Sequence, residues 1–153
     1  MGLFIDTFVN KVDGKGRVSV PASFRAALTG QSYHGIVAMP VFKYPAVLCS
    51  GIDFMARLSA EIDQVALFSD EQDDLAHNLF ADSKQLPFDG EGRIVLPELL
   101  AKHAGIDGSA AFVGRGPNFE IWAPVAFEAH KAAARQRARD KGLTLRLRSE
   151  GSS

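Results

Sequence analysis

One stretch of this chain occurs twice, and the duplication constrains the fold more than any other feature. Asp13-Gly14-Lys15-Gly16-Arg17-Val18-Ser19-Val20-Pro21 returns 76 positions later (13 to 89) as Asp89-Gly90-Glu91-Gly92-Arg93-Ile94-Val95-Leu96-Pro97. Asp, both glycines, Arg and Pro are identical in the two copies. A repeat of this kind governs the reading of everything around it. Each copy reads as a tight turn, a short strand and a helix start. The glycines open positive φ to the turn. Val18 and Val20, like Ile94 and Leu96, alternate so that one strand face meets a core. Pro21 and Pro97 suit a first helical position, where a missing N–H costs nothing. Asp and Arg, four residues apart, are left near the tip of each turn.

The segments around the two copies follow one order. Phe4 to Val12 reads as a strand entering the first turn and Val18 to Val20 as the return strand. Pro21 to Leu28 is a short helix burying Phe24, Ala27 and Leu28, ended by Gly30. Ile36–Met39 and Ala46–Cys49 are short apolar strands separated by a loop marked with Pro40 and Pro45. Phe54, Leu58, Ile62 and Val65 have helical spacing within a helix over 54–68. Ser69-Asp70-Glu71-Gln72 is a capping box opening another helix, with Leu75, Leu79 and Phe80 as its apolar face. The acidic run Asp70, Glu71, Asp73 and Asp74 fits the positive end of that helix.

The second half repeats this order. Gln85–Phe88 is the entering strand and Ile94–Leu96 the return strand. Pro97 to Ala104 is a helix closed by Gly105. Ala110–Val113 and Phe119–Trp122 are the strand pair, and Pro124 begins a helix running into a basic tail. Phe112-Val113 matches Ile36-Val37 at the same spacing of 76, and Phe127 matches Phe54 at 73 (54 to 127). The expected organisation is a first repeat with its helix over 1–68, a helical connection over 69–84, a second repeat over 85–142, and a disordered basic tail over 143–153.

Composition excludes more than it selects. The chain has 153 residues with 46% hydrophobic and 23% charged content, ordinary for a soluble globular protein. Its one cysteine, Cys49, cannot form an intramolecular disulfide, so a reducing cytoplasm is the economical expectation. Cys49 itself reads as a small buried apolar residue. No apolar run reaches the roughly 20 residues of a membrane helix, and no signal peptide is evident. Met1-Gly2 lacks the Ser or Thr that N-myristoylation needs, since Asp6 stands there. The net charge of −1 argues against nucleic-acid binding by bulk charge. From Glu128 onward, however, seven cations face three carboxylates, a local +4. Any nucleic-acid site is therefore a local patch.

Enzymatic readings are weak. His34, His77, His103 and His130 are scattered, with no pair at metal-ligand spacing. Nucleophile-elbow, zinc-protease and phosphate-loop motifs are absent. The expectation is a protein without catalysis, cofactor, metal or small-molecule substrate. For the turns two readings stand. In one, Asp13 caps the turn and Arg17 pairs with it, a purely structural device. In the other, Arg17 reads guanine in the major groove, which admits a two-stranded β-ribbon. Asp13 then orients the guanidinium and Lys15 meets phosphate. Glu91 replaces Lys15 in the second copy and would repel phosphate, so the first turn is the better DNA contact.

At these residues the chain resembles the MraZ family of bacterial transcriptional regulators. The likeness rests on Asp-Gly-Lys-Gly-Arg-Val-Ser-Val-Pro-Ala-Ser-Phe-Arg from Asp13, repeated as Asp-Gly-Glu-Gly-Arg-Ile-Val-Leu-Pro from Asp89. His103-Ala104-Gly105-Ile106, Phe112-Val113-Gly114 and Phe119-Glu120-Ile121-Trp122 add to it, over roughly residues 4–135. One departure is Asp6, where many members have Gly. The resemblance implies an α+β fold of tandem AbrB-like (swapped-hairpin) units forming a pseudo-two-fold β-barrel core with flanking helices. It implies a ring of subunits that binds G-rich direct repeats in double-stranded DNA and represses its own cell-division and cell-wall operon, at the nucleoid. DNA contacts carry over onto Asp13, Lys15 and Arg17, and less directly onto Asp89 and Arg93. Apolar strand faces and Trp122 would supply the subunit contacts. The rival is an oligomeric AbrB-like scaffold that binds a protein partner.

Overall fold

The computed structural model describes residues 2–145. Most of the expected basic tail, from residue 146 on, lies outside them. In chain order the elements are β1 (Thr7–Lys11), β2 (Arg17–Ser19), α1 (Ala22–Ala27), β3 (Gly35–Val41), β4 (Ala46–Ser50), α2 (Ile52–Ile62) and α3 (Asp70–Ala76). A single π turn, His77–Ala81, extends α3. The second half supplies β5 (Lys84–Pro87), β6 (Arg93–Val95), α4 (Glu98–Ala104), β7 (Ser109–Gly114), β8 (Phe119–Trp122) and α5 (Pro124–Lys141).

The fold is α+β, with a six-stranded sheet in the order β1-β7-β8-β4-β3-β5 and a separate two-stranded ribbon of β2 and β6. The sheet order is unchanged when each strand is exchanged for its counterpart in the other half. Four of the six ladders join strands of different halves: β1 with β7, β3 with β5, β4 with β8, and β2 with β6. The expected barrel is not formed. β1 and β5 are the two edges of the large sheet and do not pair with each other. Closure fails because β2 leaves β1 after one bridge, Val12 to Val18, and pairs with β6 instead. The strands that would complete a barrel wall form their own ribbon over one face.

The repeat spacing is also corrected. Phe8 of β1 faces Phe112, whereas its equivalent in β5, Lys84, faces Ala38. Phe112 is therefore the counterpart of Ala38 and not of Ile36. The connection into β3 is two residues longer than that into β7. Ala38 and Phe112 are both fully buried, so a small and a large side chain share one role.

Both faces of the central strands are covered, which is why they read as unbroken apolar runs. Ile36, Ala38, Val47, Phe112, Phe119 and Ile121 face the ribbon side and pack with Val18, Ile94, Phe24 and Leu100. Phe24 meets Phe4 edge-on and Phe119 at a tilt. On the other side α2 and the turn after α3 cover Val37 and Met39. There α5 places Phe127 over Trp122, Ala111 and Val113. Trp122 is only 1% exposed, packed by Tyr44, Phe127 and His130, so its surface is spent within the chain and does not supply a subunit contact.

Several local expectations shift. Pro21 and Pro97 occupy the cap position before α1 and α4, not the first helical position, because their ψ values of 140° and 144° are extended. Pro40 lies inside β3, opposite Val47, beyond the point where β5 stops at Ala38. No ladder neighbour on that side needs an N–H from it. The helix read over 54–68 ends at Ile62, and Phe68 sits at φ 64°. Half of the capping box forms: Gln72 N–H donates to Ser69 Oγ, but Gln72 Oε1 accepts from Phe68 N–H, while Ser69 N–H donates to Ala66 O. Asp6 adopts φ 83°, and its carboxylate accepts from the Thr7 N–H at 2.6 Å. A left-handed residue is needed at this position. Gly supplies it freely, and Asp is among the few side chains that tolerate it.

Candidate nucleic-acid interface

Each repeated turn is built by its Asp. Asp13 Oδ1 accepts from the backbone N–H groups of Lys15 and Arg17, both at 2.9 Å. Its Oδ2 accepts from Arg17 Nε at 2.6 Å. Gly16 N–H donates to Asp13 O, and Gly16 takes φ 81°, a conformation that favours glycine. The second turn has the same bonds. Asp89 Oδ1 accepts from Glu91 and Arg93 N–H at 2.8 and 2.9 Å, and Oδ2 accepts from Arg93 Nε at 2.8 Å. Gly92 sits at φ 76°.

The hydrogen bonds set the electrostatics. The Arg17 backbone N–H, more than any other group, holds the Asp13 carboxyl below its ordinary value of 3.8. The Arg93 backbone N–H does the same for Asp89. The Arg93 guanidinium is raised above its usual value, first by its hydrogen bond to Asp89, with smaller contributions from Glu91 and from Asp13 across the ribbon. Both Asp side chains stay ionised at neutral pH and clamp one edge of an arginine. With Nε engaged, the two terminal nitrogens of each guanidinium are the donors left for a ligand.

The ribbon brings the turns together. Arg17 faces Val95, Val18 faces Ile94, and Ser19 faces Arg93. Val18 and Ile94 point to the core, at 0% and 1% exposure. Strand alternation then puts Arg17, Ser19, Arg93 and Val95 on the outer face. Arg17 and Arg93 are diagonal neighbours there, with Cα atoms about 7–8 Å apart by strand geometry. From the sequence the two turns read as separate tips. In the structure the two half-buried arginines share the outer face of one ribbon.

The turns differ in charge. Asp13, Lys15 and Arg17 sum to +1, whereas Asp89, Glu91 and Arg93 sum to −1. Glu91 Oε2 also lies 3.8 Å from Arg93 Nη1. The sequence reading gave no role to Arg25. This side chain reaches from α1 to the second turn, donates from Nε to Val20 O at 3.1 Å and lies against Gly92. Comparison of the halves carried a signal, since the position equivalent to Arg25 is Ala101. Among the described residues no cluster of three or more His, Cys, Asp or Glu could hold a metal, and no helix is long and apolar enough to cross a membrane.

The fold and turns define an internally duplicated α+β protein that presents a short arginine-bearing ribbon. The sequence profile described as "MraZ protein, putative antitoxin-like" matches residues 79–147. The transcriptional regulator MraZ of Rickettsia rickettsii is 44% identical over 146 residues, spanning 95% of this chain and 98% of the relative. The MraZ proteins of Rickettsia africae and Rickettsia bellii are 43% and 42% identical with the same coverage. The chain belongs to the MraZ family of transcriptional regulators. Members of this family are regulators and not enzymes.

Proposed function

We propose that the chain regulates transcription by binding duplex DNA sequence-specifically through the outer face of the β2–β6 ribbon. Arg17 and Arg93 present their terminal nitrogens to guanine O6 and N7, the contact that reads G in the major groove. Asp13 and Asp89 fix the guanidinium planes, and Lys15 meets phosphate. The observation that carries this reading is the diagonal placement of two Asp-clamped arginines on one exposed ribbon. A ring of subunits on short G-rich direct repeats supplies affinity without a basic surface, because later turns bind at high effective concentration. The site of action is the cytoplasm, at the nucleoid, and the regulated genes are its own cell-division and cell-wall operon, under repression.

The test is fluorescence anisotropy with a duplex from upstream of the gene, carrying its G-rich repeats, against a scrambled duplex. Loss of one bidentate guanine contact costs about 1–3 kcal/mol, repeated in every engaged subunit. Arg17→Ala is expected to bring specific binding down to the scrambled level. Equal binding of the wild type to both duplexes, or normal binding by Arg17→Ala, would make the turns structural and favour a scaffold for a protein partner.

A further inference from the structure

The second turn is served by a cation that its own half does not contain. Arg25 is exposed on α1, in the first half, yet its guanidinium lies at Gly92, where a Cβ would stand 2.7 Å from Cζ. The bond from Nε to Val20 O fixes the stem at the end of the ribbon, where Val20 N–H also donates to Gly92 O. That one bond leaves both terminal nitrogens available. Among the described residues Arg25 forms no ion pair within 4.0 Å, although Glu91 belongs to the same turn. A cleft of about 430 Å³ opens beside it, with Thr29, Gln31, Tyr33, His34 and the Gly90 backbone on its walls. The side chains and backbone N–H groups here offer hydrogen-bond donors. Asp89 also lines the cleft, and its carboxylate is already occupied by two backbone N–H groups and Arg93 Nε.

The two halves thus exchange where the extra charge resides. The first turn has Lys15 in its own loop, and the residue equivalent to Arg25 is Ala101. The second turn has Glu91 in its loop and Arg25 delivered from the other half. Alone it carries −1 and repels phosphate. With Arg25 it is neutral, with the cation on its surface. We infer that Arg25 is the phosphate-contacting residue of the second turn, the counterpart of Lys15. The inference rests on the DNA reading of the ribbon and offsets the phosphate repulsion expected from Glu91.

Phosphate contacts and base contacts leave different signatures. Removing one phosphate contact lowers the slope of log affinity against log salt by about 0.9 and weakens all sequences alike. The experiment is a salt series of anisotropy titrations on the full chain, with repeat-bearing and scrambled duplexes, alongside thermal melting by circular dichroism. Arg25→Ala is expected to lower the slope by about 0.9 for each second turn bound, on both duplexes. Arg25→Lys should retain the slope, and adding Glu91→Lys to Arg25→Ala should restore it by placing a cation in the loop. Glu91→Lys alone should steepen it, a readout that stands even where Arg25→Ala folds poorly. A wild-type slope in Arg25→Ala, or a reduced slope that neither Arg25→Lys nor Glu91→Lys recovers, overturns the inference and leaves the DNA reading intact. A wild type that binds neither duplex overturns both.

Discussion

Val18 faces Ile94 at the centre of the β2–β6 ribbon, and the two are the same position of the two repeats. The pseudo-two-fold relation of the molecule passes between them. Both are fully buried, so the ribbon is held to the sheet from its midpoint while its ends carry the charged turns.

Ile94→Ala is accordingly expected to cost about 2–5 kcal/mol, the range for truncating a well-packed aliphatic side chain. Val95, the next residue, is 55% exposed on the outer face, and Val95→Ala should stay within about 0.5 kcal/mol. Urea denaturation of the two variants compares them directly. Similar midpoints would mean that the inner face does not anchor the ribbon.

The glycines of one turn should separate in the same way. Gly16 is left-handed, and a Cβ there would stand 3.0 Å from the Leu96 carbonyl oxygen, so Gly16→Ala should destabilise by about 1–3 kcal/mol. Gly14 has open space and no positive φ, so Gly14→Ala should be neutral or stabilise by up to about 1 kcal/mol. Asp6→Gly, at φ 83°, should not lower the melting temperature, whereas Asp6→Val should. Equal effects at Gly14 and Gly16 would contradict the turn geometry.

Acid should loosen the turns at a predictable point. Asp13 and Asp89 titrate below 3.8 when folded, each chiefly because a backbone N–H donates to the carboxylate. An Asp in an unfolded chain titrates near about 3.9. A depressed folded value means that the stabilisation is complete above the unfolded value of about 3.9 and lost as pH falls through the folded values. Carboxyl chemical shifts across an NMR titration would report both groups. Values at or above the ordinary one would remove the clamp from the account of the arginines.

At high pH the relevant pair is Tyr44 and Glu120. Glu120, 4% exposed in β8, accepts from Tyr44 Oη and from Trp122 Nε1. Burial first, and then this carboxylate, push Tyr44 up to about 12, while burial alone raises Tyr33. These are the only two tyrosines, so an ultraviolet titration of the native protein should show no phenol ionising at its ordinary value of 10. A raised folded value places the stabilisation from Tyr44 fully below pH 10 and removes it between pH 10 and about 12. Tyr44→Phe leaves a Glu120 oxygen without its phenol donor, at a cost of about 1–3 kcal/mol. A native titration curve centred on 10 would count against the pair.

The local units and the chemistry of the turn were legible from the residues alone. Asp13, Gly16 and Arg17 specify their turn through contacts at most four residues apart, so an Asp-to-backbone turn and its arginine are written in five letters, twice. The capping box at Ser69 was legible for the same reason, and the apolar runs of β3, β4, β7 and β8 announced strands. The family resemblance rests on these short-range patterns as well. The pairings of β3 with β4 and of β7 with β8 were legible too, but which strands pair across the two halves emerged only in the packed chain. Hairpin pairing of β1 with β2 and ribbon pairing of β2 with β6 satisfy the same alternation. What selects the second is burial of Val18 against Ile94, a contact between residues 76 positions apart (18 to 94). The same long-range choice opened the expected barrel into a sheet and a ribbon. It also brought Arg17 and Arg93 onto one face and carried Arg25 to Gly92. Periodicity records which face of an element is apolar. It holds no record of which distant partner will cover that face, and here the partner sets where the charges meet.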